Sequence, residues 1–285
     1  LNRLLRKDAM ELRELVQDGA DPYPRKAAMM AKYGLDQPLW KQYIIYLGNF
    51  LRGDFGVSYT KAGLTVNKVI ADGFPFSLTI GIYASLVVVF AGILFGSVCA
   101  LRQNKLIDRF FMVLSTLGST IPSFVLATGF LFLFSKTLGL VPAFGVDEVA
   151  GYIGPVLVIG AFPLSFITRL TRTSLVEVQQ QDYIRTARSK GISEFKVIYK
   201  HALRNALLPV VTYIGPMVAS IVTGSFVIET VFGIPGVGQL FTDSIVNRDY
   251  PLIMGITVFF AVLLVLAVLI VDLVYVLIDP RIKLD

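Results

Sequence analysis

Residues 76–101 read FSLTIGIYASLVVVFAGILFGSVCAL, and this stretch decides the fold. It holds no charged residue, and it exceeds the roughly 20 apolar residues that a helix needs to cross a bilayer. Because the hydrocarbon core offers the backbone no hydrogen-bond partner, such a segment satisfies its own backbone by forming a helix. The stretch therefore predicts a membrane-spanning helix.

Four further stretches have the same character, and they are residues 110–135, 150–168, 206–228 and 252–278. The first three are uncharged, and the last carries one charged residue, Asp272. Each proline within a helix removes a hydrogen bond and predicts a kink. Prolines in these spans include Pro122, Pro155, Pro163 and Pro216. The predicted fold class is an all-α, polytopic membrane protein with its transmembrane domain over residues 76–278.

The composition agrees with lipid as the solvent. Only 16% of the 285 residues are charged and the mean hydropathy is +0.69, whereas soluble domains carry about 25% charged residues. The net charge of +6 does not indicate nucleic acid as a partner, because Lys and Arg accumulate on the cytoplasmic loops of membrane proteins. The single cysteine, Cys99, excludes a disulfide framework within the chain.

Basic residues divide unevenly between the loops if the first span ends in the cytoplasm. The successive inner loops and tail then hold three, eight and two Lys and Arg residues, thirteen in all, while the outer loops hold only Lys136 and Arg248. Short loops with more Lys and Arg stay inside. This orientation places residues 169–205 in the cytoplasm.

The same orientation places residues 1–75 outside the cytoplasm. A charged outer segment needs a preceding helix to carry it across, so we expect a further transmembrane helix before Leu1. Within the segment, Pro38 predicts a helix start, and the GDFG sequence at residues 53–56 predicts a turn. A docking role and simple packing on the membrane surface both remain open for this segment.

Residues 169–205 form an insert that is too polar to cross the membrane. Val176, Tyr183 and Ala187 fall at helical spacing. Gly191 then interrupts the pattern, at a position typical of a helix C-cap because glycine accepts the left-handed conformation. The first half of the insert therefore predicts a helix that ends at Gly191.

A second predicted helix follows, with Ser193 suited to its N-cap and Glu194 to its first turn. Its apolar stripe consists of Phe195, Ile198, Tyr199, Ala202, Leu203 and Ala206. Its basic stripe consists of Lys196, Lys200 and Arg204. The pattern predicts a helix–Gly–helix hairpin, and it leaves open whether the hairpin meets anionic lipid or docks into a partner protein.

Two motifs of the insert resemble the coupling segment of binding-protein-dependent ABC importer permeases. They are YIRTARSKG at residues 183–191 and HALRNALLP at residues 201–209. The resemblance is to the oligopeptide/dipeptide/nickel branch and its B-type permease subunit. Further matching stretches are GDFG (53–56), IPSF (121–124), IETVFGIPGVG (228–238), NRDYP (247–251) and IDPR (278–281). The broad importer signature begins Glu-Ala-Ala, whereas this chain has Arg185, Thr186 and Ala187, a variant typical of the peptide branch.

The resemblance implies a type I ABC importer permease, a helical bundle with a cytoplasmic coupling-helix hairpin in a bacterial or archaeal cytoplasmic membrane. The implied partners are a second, C-type permease, two cytoplasmic ATP-binding subunits, an extracytoplasmic binding protein and membrane lipid. ATP and Mg²⁺ would bind only to the partner ATPases. The implied ATPase-coupling residues are Arg185, Ala187, Arg188, Ser189, Lys190, Gly191, Ile192 and Ser193.

Three residues are candidates for the substrate pathway or for contact with the binding protein. Glu229 ends the fourth predicted span beside an outer loop, and Gly236 belongs to that loop. Asp272 lies near membrane depth, where a charge is costly and usually faces protein or water. An interfacial carboxylate near the inner headgroups is the alternative for Asp272.

The sequence also bears on other classes of function. It contains no G-x-x-x-x-G-K-[ST] phosphate loop and no catalytic grouping, so no ATP hydrolysis or other enzyme activity is expected of this chain. A secondary transporter would tend to have internal repeats and charges near the bilayer midplane, and neither is visible here. The resemblance implies a peptide, oligopeptide or dipeptide, as the cargo, with nickel or another small solute as the alternative.

Overall fold

The structure is a computed structural model that describes residues 36–61 and 63–278, with side chains in the last helix described only through residue 271 and at Leu273. Within that part of the chain the elements are helical, and the one extended pairing is a β-bridge between Val57 and Thr65. The predicted helix before Leu1 and the tail beyond residue 278 lie outside the described residues.

From residue 36 to residue 179, the described residues form five α-helices, one π-helix and one 3₁₀ turn. They are α1 (Leu39–Leu51), α2 (Val66–Leu101), α3 (Leu106–Thr120), α4 (Ser123–Phe130), the π-helix Leu131–Thr137, and α5 (Ile153–Gln179), which follows a 3₁₀ turn at Val149–Tyr152. The helix predicted to start at Pro38 is α1, and Pro38 occupies its N-cap position.

The described residues of the second half form more helices, and most of them are shorter. Its elements are α6 (Asp182–Ser189), α7 (Glu194–Lys196), the π-helix Val197–Ala202, α8 (Leu203–Ala206), α9 (Leu208–Val222), α10 (Phe226–Val231), α11 (Val237–Asn247) and α12 (Tyr250–Ile278).

Three described helices are long and apolar enough to cross a membrane, over Val66–Leu101, Val149–Gln179 and Tyr250–Val271. Two bent pairs pass the same test together: α3 with Ser123–Thr137, bent by 111°, and Glu194–Ala206 with α9, bent by 51°. All five predicted stretches therefore correspond to helical segments. The sharp bend in the second stretch falls at Pro122, where a helical donor is missing.

The helix ends differ most from the predicted span ends at three places. The first helix begins at Val66 and runs through Pro75. The third helix continues to Gln179. The bilayer requires the apolar part to be helical, and the polar residues that follow continue the same helix. The fourth ends at Val222, since Gly224 adopts a left-handed φ of +90°.

Helix α5 packs closely on α2 and α3 through glycines. A Cβ at Gly92 would lie 2.6 Å from the side chain of Ile167, and a Cβ at Gly96 would lie 2.5 Å from that of Thr171. A Cβ at Gly118 of α3 would lie 2.5 Å from Ser165 Oγ. Small residues permit this approach, which is how helices associate in membranes. The Gly92-x-x-x-Gly96 spacing is therefore a helix-packing element.

The chain forms two compact units, one from the described residues of Leu1–Gly73 with Leu240–Phe259 and the other from those of Phe74–Gln239 with Phe260–Asp285. The larger unit contains the main apolar core. Core residues from α2, α5, α9 and α10 include Ile80, Val88, Ile167, Met217 and Ile228.

In the smaller unit, the fully buried carboxylate of Asp249 ties the turn before α12 to the loop at residues 58–60. Its oxygens accept hydrogen bonds from the hydroxyls of Ser58 and Thr60, and from the backbone N–H groups of Tyr59, Thr60 and Leu252. Burial alone would raise the pKa of Asp249, but the hydrogen bonds outweigh it and hold this pKa below its usual value. The carboxylate therefore stays ionised and anchors the loop.

Replacing Gly96 by valine should destabilise the fold, because the new side chain cannot fit against Thr171. We expect a loss of about 1–3 kcal/mol in the free energy of unfolding, measured by denaturant titration in detergent micelles. Gly129→Val is the matched control, because a Cβ at Gly129 meets nothing within 4 Å. Equal losses in the two variants would contradict the close α2–α5 contact.

Candidate functional site

The basic insert folds as a two-armed hairpin over residues 182–206, which we call the basic hairpin. The first arm is α6, and the second runs from α7 through the π-helix Val197–Ala202 to α8. The side chain of Asn205 donates a hydrogen bond to the hydroxyl of Tyr183 at 2.8 Å, which links the two arms. The predicted hairpin is therefore present, although its first helix is separate from α5.

The buried side of the basic hairpin is seated on the ends of two long helices. Its side chains form an apolar cluster with Ala100 of α2 and Leu175 of α5. The hairpin residues buried there are Ile184, Ala187, Val197, Ala202 and Ala206. Because this cluster has protein on both sides, the basic hairpin is a packed part of the larger unit and not a free arm.

The tip of the basic hairpin is a closed turn at residues 189–193. Gly191 has φ +75°, the left-handed conformation expected of a C-cap glycine, and its N–H bonds the carbonyl of Arg188 at 2.9 Å. The Arg188 guanidinium spans the turn and makes two hydrogen bonds to the Glu194 carboxylate, at 2.7 and 3.1 Å. A bidentate pair of this kind fixes orientation as well as distance. The turn is therefore held in one shape while Gly191 stays exposed.

The predicted coupling residues divide into two groups. Ala187 is buried and Ile192 is half-buried against the cluster under the hairpin, so both support the turn from within. The exposed group is Arg185, Arg188, Ser189, Lys190, Gly191 and Ser193. Ser193 was expected to cap the second arm through its side chain, but only its backbone carbonyl accepts a bond, from Val197 N–H.

The predicted apolar stripe of the second arm is only partly correct. Ile198, Ala202 and Ala206 are buried, but Phe195 and Tyr199 are 68% and 55% exposed and stack on each other with ring centroids 4.3 Å apart. The cause is the π-helix, which has more residues per turn than an α-helix and rotates the side chains out of the expected register. In the first arm, Ile184 and Ala187 are buried, whereas Tyr183 is exposed.

The exposed basic side chains agree with the prediction. Lys196, Lys200 and Arg204 are all exposed on the second arm. On the first arm, Arg185 is exposed and only 3.8 Å from Asp182, a weak pair in water. The solvent side of the hairpin is therefore positive, with two aromatic rings beside the tip.

Glu229, a candidate for the pathway or for contact with the binding protein, is buried in the structure. Its side chain is 1% exposed, and one carboxylate oxygen accepts the backbone N–H groups of Gly238 at 2.8 Å and Gln239 at 3.2 Å. A Cβ on Gly236 would collide with the same carboxylate. In the described conformation Glu229 therefore fixes residues 232–239, which are the loop before α11 and the first turn of that helix, and Gly236 is required for the close approach. Direct contact of Glu229 with cargo or with a binding protein would need this loop to open.

Asp272 belongs to α12, but its side chain lies outside the described residues. Its place in the pathway stays a prediction. Among the described residues, no three His, Cys, Asp or Glu side chains come together as a metal site.

The structure contains an ion pair between α3 and α5 that was not predicted from the sequence. Arg172 makes two hydrogen bonds to the buried carboxylate of Asp108, at 2.6 and 2.7 Å, and the N–H of Asn104 adds a third at 2.8 Å. The two residues lie 64 positions apart. The available signal was that opposite charges flank the inner ends of two apolar stretches.

Comparison with known proteins identifies the family. The family described as "Binding-protein-dependent transport system inner membrane component" matches residues 92–284. The dipeptide transport system permease protein DppB of Bacillus subtilis is 49% identical over 254 residues, covering 89% of this chain and 82% of that protein. The oligopeptide transport system permease protein OppB of Haemophilus influenzae is 44% identical over 90% of this chain and 85% of its own length.

Solved structures agree at the level of the fold. A chain of the inward-facing MetNI methionine ABC transporter aligns over 72% of this chain and 94% of its own, with a TM-score of 0.60 and 16% identity. A chain of an amino acid ABC transporter solved with histidines aligns over 76% and 95%, with a TM-score of 0.58 and 15% identity. The chain belongs to the binding-protein-dependent transport system inner membrane components, and it is a multi-pass permease subunit of an ABC importer whose ATPase is a separate subunit.

Proposed function

We propose that this permease subunit forms part of the pathway for dipeptides or oligopeptides across a bacterial or archaeal cytoplasmic membrane. Relatives with peptide transport in their names are 40–49% identical over most of the chain, which supports a peptide as the cargo. An extracytoplasmic binding protein delivers the peptide. In the predicted orientation, the segment at residues 36–75 and the loop fixed by Glu229 both belong to the extracytoplasmic side of the membrane.

The permease works with a second, C-type permease and two cytoplasmic ATP-binding subunits. Helices α2 and α12 expose many large apolar side chains, which fits contact with lipid and with the second permease. ATP and Mg²⁺ bind to the ATPase subunits, because this chain lacks a phosphate loop.

The tip of the basic hairpin is the docking element for an ATPase, and its closed, exposed turn is the observation that carries this assignment. An amphipathic helix bound to lipid turns its apolar face to the membrane. Here most of that face is buried against α2 and α5. What remains for a partner is a glycine turn flanked by Arg188 and the Phe195–Tyr199 ring pair. Arginine and aromatic side chains are enriched among the energetically dominant residues of protein interfaces.

The basic hairpin is also placed to transmit motion. Coupling requires a contact that biases two arrangements of a packed element. Leu175 joins the hairpin to α5, and Leu207 joins it to α9 across the 51° bend. Movement of the tip by an ATPase would therefore reach both helices.

Replacing Gly191 by valine should reduce transport at least about tenfold, because a β-branched residue is strained at this φ and its side chain would project toward the docked ATPase. The measurement is ATP-driven peptide uptake by the reconstituted transporter, with membrane insertion checked by detergent extraction and size exclusion. Gly139→Val is the matched control, since Gly139 also has a left-handed φ of +62° and no neighbour within 4 Å of its Cβ.

Charge reversal at Arg188 and Lys190 should have the same effect on uptake, because it breaks the pair with Glu194 and makes the tip acidic. Reversal at Lys196 and Lys200, farther from the turn, should be milder. Normal uptake and normal stimulation of the ATPase, in both Gly191→Val and the variant with reversed charge at Arg188 and Lys190, would contradict docking at this turn.

The cargo assignment has its own test. Proteoliposomes holding the complete transporter, with its binding protein outside, should take up labelled dipeptides or oligopeptides only with internal ATP. Saturating unlabelled peptide should suppress that uptake, and Ni²⁺ should not. ATP-dependent uptake of Ni²⁺ without any peptide uptake would overturn the peptide assignment.

A further inference from the structure

Two helix breaks of the larger unit meet at one cavity. The first break separates α3 from α4 at residues 121–122, and the second follows the end of α9 at residues 223–225. Residues from both breaks line a cavity of about 520 Å³, and residues 158–163 of α5 form another wall. Ligand pockets commonly measure about 300–1,000 Å³. The cavity therefore has the size of a binding site.

The wall of this cavity carries many hydroxyl groups. They belong to Ser119, Thr120, Ser123, Tyr213, Ser220 and Ser225. Among the described residues, those of Thr120, Ser123 and Ser220 make no hydrogen bond to another protein group. Apolar side chains such as Phe162 and Met217 complete the lining, and no charged side chain belongs to the described part of it.

The breaks also release backbone groups. Pro122 has no N–H, so the carbonyl of Gly118 in α3 lacks its helical donor. Non-helical backbone at membrane depth is tolerated where it is buried in protein or lines a water-filled cavity. Discontinuous helices of this kind form substrate sites in secondary transporters. Polar donors and acceptors thus meet in an uncharged space.

The second break is held in place by Glu229. The Glu229 carboxylate accepts a hydrogen bond from the backbone N–H of Ser225. A Cβ on Gly224 would lie 2.7 Å from the Glu229 carboxylate. The wall formed by Gly224 and Ser225 is therefore fixed to the same buried carboxylate that organises residues 232–239.

We propose that this cavity holds the main chain of the transported peptide, through its hydroxyls and the free carbonyl of Gly118, which pair with the amide groups of the peptide. The proposal rests on the peptide function above and names where this subunit binds the cargo. Every peptide bond offers one donor and one acceptor, so such a site accepts peptides of many sequences. The absence of charge in the described lining favours neither acidic nor basic side chains. Ni²⁺, the alternative cargo, favours imidazole ligands, and the described lining contains no histidine.

Cysteine labelling tests the proposal directly. The native cysteine, Cys99, is fully buried and should not react with the label. Ser220→Cys and Ser123→Cys can therefore be made without replacing Cys99. Both should react with a small water-soluble maleimide in the reconstituted transporter. Delivery of a neutral dipeptide under turnover should slow both reactions at least about fivefold. A dipeptide with an N-methylated peptide bond should protect less.

Thr128→Cys is the matched control, because Thr128 is an exposed hydroxyl residue of α4 outside the cavity. Its reaction rate should not change with peptide. Equal rates at Ser220→Cys with and without peptide, while wild-type uptake proceeds, would overturn the proposal. Protection by phospholipid acyl chains but not by peptide would overturn it as well.

A blocking variant separates this proposal from the proposed function. Ser220→Phe should lower uptake at least about tenfold while ATP hydrolysis stimulated by the binding protein persists, because docking at the basic hairpin is untouched. Full uptake by Ser220→Phe would remove the cavity from the pathway and leave the permease assignment intact. Absence of peptide uptake by the wild-type transporter would instead contradict the proposed function.

Discussion

The close approach of α5 to α2 and α3 is the contact on which the rest of this permease depends. Between helices in lipid there is no hydrophobic driving force, so association relies on close packing and hydrogen bonds. Gly92, Gly96 and Gly118 supply the packing, and the Arg172–Asp108 pair adds the hydrogen bonds between α3 and α5. Breaking one partner of such a buried pair would leave an uncompensated charge, which costs about 3–5 kcal/mol.

This arrangement connects the two functional regions. One end of α5 supports the basic hairpin through Leu175, and residues 158–163 of the same helix form a wall of the cavity. Helix α9 follows the hairpin directly and ends at the second helix break beside that cavity. A displacement of the hairpin is therefore carried by two rigid helices to the place where we expect the cargo to bind. Packed interiors shift between discrete arrangements and do not deform continuously, which suits a switch.

Much of the helical fold could be predicted because lipid imposes it: apolar runs of sufficient length must be helices. The Gly191 turn was also predictable, since it depends on a local conformational preference. The 111° bend was not, because Pro122 signals a kink but not its size. The partners of Glu229 and Asp108 were missed because they depend on contacts between residues distant in the sequence. The exposure of Phe195 and Tyr199 was missed because a π-helix breaks the 3.6-residue period on which the prediction relied.

The central claim is that the tip of the basic hairpin docks into an ATPase, and photo-crosslinking tests it most directly. A benzoylphenylalanine at Ser189, which is exposed at the tip, would be activated in the assembled transporter in its native membrane. The same probe at Thr128, on α4, provides the comparison. The account predicts a crosslink from residue 189 to the ATPase subunit and none from residue 128. Crosslinks from residue 189 to lipid alone would contradict it.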